Sequence, residues 1–193
     1  SEQRQAAAAK LGEKVSARMQ DLGMQGGQFS IALTSLNEGE MGVTGLERIE
    51  FLVSANPGQP LLPLSKVASG GELSRISLAL QVIIATVGRI PTLIFDEVDV
   101  GIGGRVAEIV GQQLHQLGQS RQVICITHQA QVAAQGDQHL QVTKKSHDDE
   151  TVSRIQQLTQ GDRVGEIARM IGGIEISQQT RDHAEDMLSR ASA

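Results

Sequence analysis

Three groups of residues in this chain have types and spacing that suit chemistry. The first is Asp96-Glu97, directly after the apolar run Thr92-Leu93-Ile94-Phe95. A continuous apolar run of this kind reads as a parallel strand buried on both faces, and open α/β sheets bind ligands beyond the carboxyl ends of such strands. Adjacent acids at that position cost desolvation energy, which a cation or a nucleophilic water would justify. Surface acids just past a core strand are the plainer alternative. The second group is Ser69-Gly70-Gly71-Glu72, which opens a helix. Free amides, a hydroxyl and the positive dipole end there suit a phosphate. The same residues also fit an ordinary N-cap, with Ser69 capping and Glu72 completing a capping box. The third is His128, directly after the apolar run Gln122–Thr127. A lone histidine there is ordinarily structural, but this one falls on the same expected sheet edge as the acids and the Ser-Gly-Gly turn.

Elements of both kinds are needed to position these groups. Leu11, Val15, Met19 and Leu22 give residues 2–22 a helical period. Phe29–Leu36 alternates with period two and pairs with Ile49–Ser54 as a hairpin around a glycine-rich turn. Asn56-Pro57-Gly58-Gln59-Pro60 is a breaker, and Leu61–Ala68 leads into the Ser-Gly-Gly turn. From Glu72 the pattern becomes a helix to Val87, a strand at 92–95, a helix over Arg105–Leu117 and a strand over 122–127. That alternation with short connections predicts an α/β sheet with a parallel core. Leu140–Thr143 and Thr151–Leu158 read as a closing hairpin, followed by helices near Val164–Ile171 and Ser177–Arg190.

Composition narrows the function classes. Seventeen Lys+Arg against 22 Asp+Glu leave a net charge of −5, which argues against a strongly basic DNA clamp in this chain alone. The aromatics are three phenylalanines, too few for a face of rings stacked on single strands. No run approaches the roughly 20 apolar residues of a membrane-spanning helix. One cysteine, Cys125, and no signal-peptide pattern point to the cytosol.

The order Ser69-Gly70-Gly71-Glu72, Thr92–Glu97, Asp99, His128 resembles the second half of an ABC-type ATPase head, with its signature, Walker B, D-loop and H-loop motifs. Leu64–Arg75, Asp96–Gly104 and Thr127–Ala133 are similar to the RecN family, SMC-like ATPases of bacterial double-strand break repair. The match covers roughly residues 50–190. The resemblance implies an α/β C-terminal lobe of an SMC-type head (residues 23–193) preceded by the end of a coiled-coil arm (residues 1–22). It implies ATP and Mg²⁺ as ligands, with Asp96 holding the metal through water, Glu97 polarising the attacking water and His128 contacting the γ-phosphate. Ser69, Gly70, Gly71 and Glu72 would face a nucleotide on the opposite head, Lys66 is an expected contact to the same nucleotide, and Asp99 would lie in a loop touching the partner. The implied setting is the nucleoid, with heads that dimerise and DNA engaged by the intact protein.

One departure weighs heavily. A Walker A loop places a lysine after a glycine to hold the β- and γ-phosphates. Lys10, Lys14, Lys66, Lys144 and Lys145 follow Ala, Glu, Ser, Thr and Lys. The phosphate loop is absent from this chain, as is the Gln-containing loop that normally precedes the signature. The family keeps Walker A in an N-terminal half beyond the coiled coil, so Ser1 reads as a cut point in a longer protein and the chain alone is expected not to hydrolyse ATP. Two other readings compete: a Mg²⁺-dependent nucleic-acid enzyme using Asp96, Glu97 and Asp99, and a non-hydrolysing SMC-type dimerisation module. Arg75 reads either as a brace for the signature turn or as exposed. Arg105 reads as a solvated arginine at a helix start, where a cation is disfavoured, or as an interface contact. Cys125 reads as a buried strand residue, and His147-Asp148-Asp149-Glu150 as a solvated hairpin tip with metal-capable atoms. His115, His139 and His183 lack convergent partners in the sequence.

Overall fold

The computed structural model describes residues 1–43, 45–67, 69–84, 90–147, 150–173 and 175–191. Helix α1 (Glu2–Asp21) packs on an antiparallel sheet of β1 (Gln28–Ser35), β2 (Glu47–Ser54) and the short β3 (Leu62–Pro63). The register pairs Phe29 with Val53, Ile31 with Phe51 and Leu33 with Ile49, so the period-two alternation places these six on one face. Gly12 lets helix and strand approach closely, since a Cβ there would lie 3.3 Å from Phe29 O. The Phe29 amide donates to Ser16 Oγ at 2.9 Å across the same contact. Val15 and Met19 of α1, with Leu22 just beyond it, are fully buried in the main core. The segment expected as an arm is docked on the lobe along its length, with Ala8, Gly12, Val15 and Met19 buried and Arg4 paired with Glu47 at 3.1 Å.

Helix α2 (Gly70–Ile83) leads towards β4 (Thr92–Phe95), then α3 (Gly104–Gly118) and β5 (Gln122–Cys125). Residues 85–87, expected as the end of the α2 helix, fall in the stretch 85–89, which lies outside the described residues. Strands β4 and β5 are parallel neighbours, with Phe95 opposite Cys125. Helix α3 buries Ala107, Val110, Leu114 and Leu117, spaced three, four and three apart as an amphipathic helix requires. Leu93, Phe95, Val123 and Cys125 join the main core on one face of the strand pair. The opposite face corrects the expectation of burial on both sides: Ile94 is 67% exposed, and Ile124 and Ile126 are also exposed. Among the described residues nothing covers it.

The short helix α4 (Ala130–Ala134) was not expected, because five residues carry too little periodicity to register. Strands β6 (Leu140–His147) and β7 (Glu150–Gln157) form the closing hairpin and run further into the charged segment than expected. Asp148 and Asp149 of its tip lie outside the described residues. Helices α5 (Gln160–Gly172) and α6 (Gln178–Ala191) pack with α4 around a second core of Ala130, Ala134, Ile167, Ala168, Ala184 and Met187. Helix α5 starts four residues before the expected Val164. The signal is a capping box: the Asp162 amide donates to Thr159 Oγ1 at 3.2 Å and the Thr159 amide to the Asp162 carboxylate at 3.4 Å. Buried Arg163 donates to Ala134 O and Gly136 O at 3.3 and 2.6 Å, satisfying carbonyls at the end of α4.

Candidate functional site

Parallel pairing of β4 and β5 puts both carboxyl ends on one edge, and the Ile126 amide donates to Phe95 O at 2.9 Å to close the pair. Asp96 and Glu97 leave β4 at this edge, and Thr127-His128-Gln129 leaves β5 beside them. Helix α2 is tied to the same edge by Ser74 Oγ, which donates to Asp96 O at 2.8 Å. Its N-terminus is capped as expected, with the Glu72 amide donating to Ser69 Oγ at 3.3 Å. The structure brings the Ser-Gly-Gly turn, the acid pair and the histidine together.

Both glycines of the turn have physical reasons. A Cβ on Gly71 would stand 3.1 Å from Val100 O and 3.3 Å from Glu97 O, so α2 packs directly on the turn after β4. A Cβ on Gly70 would stand 2.5 Å from Glu97 Oε2, so the Glu97 carboxylate rests against the helix start. Glu97 itself has φ +59°, a left-handed conformation that costs a non-glycine residue about 1–3 kcal/mol and recurs at functional sites. Arg75 is buried rather than exposed. It donates to Val100 O at 2.9 Å and so braces the turn after Glu97, whereas the sequence offered it as a brace for the signature turn. Burial pushes its guanidinium below the ordinary value, partly offset by Glu72.

The left-handed residue reverses the facing of the residues after it. Asp96 and Glu97 are both exposed, so the desolvation cost inferred for them does not arise in this chain alone. Val98 and Asp99 instead point inward, and Asp99 is only 1% exposed. Its loop was expected to touch a partner; the side chain itself is turned into this chain. Asp99 Oδ2 accepts from Thr127 Oγ1 at 2.5 Å, from the His128 amide at 3.2 Å and from the Gln129 amide at 3.3 Å. His128 Nδ1 lies 3.5 Å from the same oxygen, while the ring is 67% exposed. Asp99 therefore shapes the turn that presents His128, a role invisible from position alone. Its inward turn also removes one carboxylate from the three-acid metal reading, and among the described residues no group of three His, Cys, Asp or Glu could hold a metal. Exposed Asp96 does suit Mg²⁺ taken through water, since that ion uses one or two carboxylates with waters and phosphate oxygens completing its shell.

The other candidates lie around this edge or away from it. Lys66 is exposed at the end of a 3₁₀ turn, Leu64–Lys66, upstream of Ala68, which lies outside the described residues. Arg105 is exposed in the first turn of α3, in a shallow cleft with Glu108, His183 and Arg190. Cys125 is half-buried, and burial followed by the charges of Asp99 and Asp96 pushes its thiol up to about 12. His115 Nδ1 lies 2.9 Å from Gln135 O. His139 packs near Arg163 and Glu166, and burial with the Arg163 charge holds its ring below the ordinary value despite Glu166.

The architecture is that of an SMC head. It matches the SMC head domain with coiled coil and joint from Pyrococcus yayanosii at TM-score 0.57 and 20% identity, covering 99% of this chain and 30% of that one. It also matches the Pyrococcus furiosus SMC head bound to the C-terminal domain of ScpA at TM-score 0.56 and 22% identity, over 88% of this chain and 39% of that one. The chain belongs to the RecF/RecN/SMC N terminal domain family, whose model matches residues 11–151. Within it the chain is similar to DNA repair protein RecN of Xylella fastidiosa, 48% identical over 182 residues, 94% of this chain and 33% of that protein. RecN of Vibrio cholerae is 45% identical over 184 residues (95% and 33%), and RecN of Bacillus subtilis 38% over 197 (95% and 34%). The chain spans about a third of the length of the curated relatives it matches. No described helix is long and apolar enough to cross a membrane.

Proposed function

We propose that this chain is the C-terminal half of a RecN-like ATPase head (residues 23–193, entered by the end of a coiled-coil arm at 1–22), acting in double-strand break repair. The carrying observation is the convergence of the α2 N-terminus with Asp96, Glu97 and His128 on one edge of a parallel strand pair. Glu97 polarises the water that attacks the γ-phosphate, and its exposed carboxylate is available to take the proton. His128 contacts that phosphate. Asp96 would hold Mg²⁺ through water, and the ion would supply charge neutralisation at the transferring phosphoryl group. The Ser69 hydroxyl, the amides of Gly70, Gly71 and Glu72, and Lys66 serve a nucleotide carried by the opposite head of a homodimer. Asp99 acts from the interior of the same loop.

The upstream half of the head, carrying Walker A, completes the site. The open face of β4 and β5, with Ile94, Ile124 and Ile126, supports a covering layer from outside this chain. DNA engagement and a nucleoid location in the cytoplasm belong to the intact protein on this reading. Co-expression of the chain with its upstream half tests it. ATP turnover is expected in the pair only and is lost in Glu97→Gln; turnover by the chain alone, sensitive to Glu97→Gln, sinks the split-site reading.

A further inference from the structure

His128 has a polar neighbour at each ring nitrogen, and the contact at Nε2 has a definite hydrogen-bond polarity. Gln129 Nε2 lies 2.9 Å from Ile102 O. A carbonyl oxygen only accepts, so the atom facing it is the amide nitrogen, which has two hydrogens and no lone pair to offer. The second hydrogen is the one available to His128 Nε2, the two nitrogens being 3.2 Å apart. Nε2 therefore accepts and carries no proton in the neutral ring. The ring proton sits on Nδ1, 3.5 Å from Asp99 Oδ2. That oxygen is fixed in turn by Thr127 Oγ1 and two backbone amides, in a carboxylate only 1% exposed.

We infer that Asp99 and Gln129 form a two-sided clamp holding His128 as the neutral Nδ1–H tautomer, which makes both of them positioning residues of the site. The clamp is a property of the chain itself. Its consequence for catalysis rests on the function proposed above: Nε2 meets a phosphate oxygen as a donor only after gaining a proton, with Asp99 then backing the imidazolium through Nδ1. Orientation of a histidine by a carboxylate on the far nitrogen is a general means of setting which tautomer reacts.

The test is a long-range proton–nitrogen correlation spectrum of the chain with ¹⁵N-labelled histidine, at about pH 8, where an ordinary imidazole is neutral. The His128 signals are identified by their loss in His128→Asn. The expected wild-type pattern has a protonated Nδ1 and an unprotonated Nε2. Gln129→Leu removes the donor to Nε2 and Gln129→Glu replaces it with an acceptor. Both are expected to move His128 towards the Nε2–H form while His115, bonded to Gln135 O, stays unchanged. Asp99→Asn is a further arm, and the half-buried Gln129 variants keep the test open if that protein does not fold. A wild-type His128 in the Nε2–H form, or no response to either Gln129 substitution, overturns the clamp. No nucleotide enters these measurements. Absence of ATP turnover in the paired halves removes the proposed function and leaves the clamp standing, whereas the reverse pair of results removes the clamp alone.

Discussion

Asp96 and Asp99 are three residues apart, and replacing each by alanine is expected to have very unequal consequences for stability. Asp99 is buried and accepts from a hydroxyl and two backbone amides. Removing its carboxylate breaks three hydrogen bonds to a charged acceptor, each worth about 1.5–3 kcal/mol, although the Gln129 amide and the Thr127 hydroxyl keep second partners in Thr127 Oγ1 and Gln129 O. The contributions share one oxygen and do not add fully, and the exposed turn at His128 admits some water. The total then lies in the range for breaking a buried charged cluster, about 3–5 kcal/mol. For a chain of this size each kcal/mol shifts the melting temperature by about 2–4 °C, so Asp99→Ala lowers it by roughly 6–20 °C. Asp96 is exposed, and Ser74 bonds its backbone carbonyl rather than its side chain. Asp96→Ala therefore stays within about 0.5 kcal/mol of wild type. Urea titration followed by circular dichroism measures both. A loss below about 1 kcal/mol in Asp99→Ala, well under the range for such a cluster, refutes the inward placement and the reasoning built on it.

Other consequences are checked as simply. With its thiol pushed up to about 12, Cys125 is alkylated by iodoacetamide at about pH 8 roughly three orders of magnitude more slowly than an ordinary cysteine, because the thiolate fraction falls by that factor. Equal rates in folded and urea-unfolded chain would contradict this. His139 is held below its ordinary value and Glu166 below its own, the latter chiefly by its hydrogen bond with Arg169. For both groups the unfolded chain binds protons first, so their stabilisation is present at neutrality and is lost on acidification, from His139 below about pH 6.5 and from Glu166 at more acid pH. Urea midpoints should fall between about pH 7.5 and 5.5, and His139→Leu should flatten that slope. A Cβ on Gly111 would stand 2.7 Å from Gln135 Cγ and 3.1 Å from Gln131 O, where α3 meets α4, whereas Gly118 faces open space. Gly111→Ala should therefore cost about 1–3 kcal/mol by overpacking and Gly118→Ala should gain up to about 1 kcal/mol of helix propensity, read as opposite shifts in melting temperature.

The site was legible where chemistry derives from position along a strand. Acids after Phe95 and a histidine after Thr127 share an edge once β4 and β5 run parallel, and Ser69 announces its helix by residue type. Facing within the turn was not legible. Glu97 at φ +59° interrupts the extended backbone of β4, and the burial of Val98 and Asp99 after it is announced by no local pattern. Arg75 defied its residue type for a related reason. The carbonyl of Val100, delivered by that turn, gives a buried guanidinium a partner that no local pattern announces.

The apolar run of β4 teaches a different lesson. Leu93 and Phe95 face the core while Ile94, its register partner Ile124, and Ile126 lie open. The run offers two apolar faces, and only one finds cover among the described residues. Hydrophobic pattern states the environment a strand is suited to, and the environment can be completed by chain elsewhere. On the proposed reading the same upstream layer that covers these isoleucines also walls the edge where Asp96 and Glu97 now stand in solvent. The desolvation argument for that acid pair then belongs to the assembled head. By the same logic the left-handed Glu97, resting against Gly70 in this chain, acquires its working surroundings only when that layer is in place.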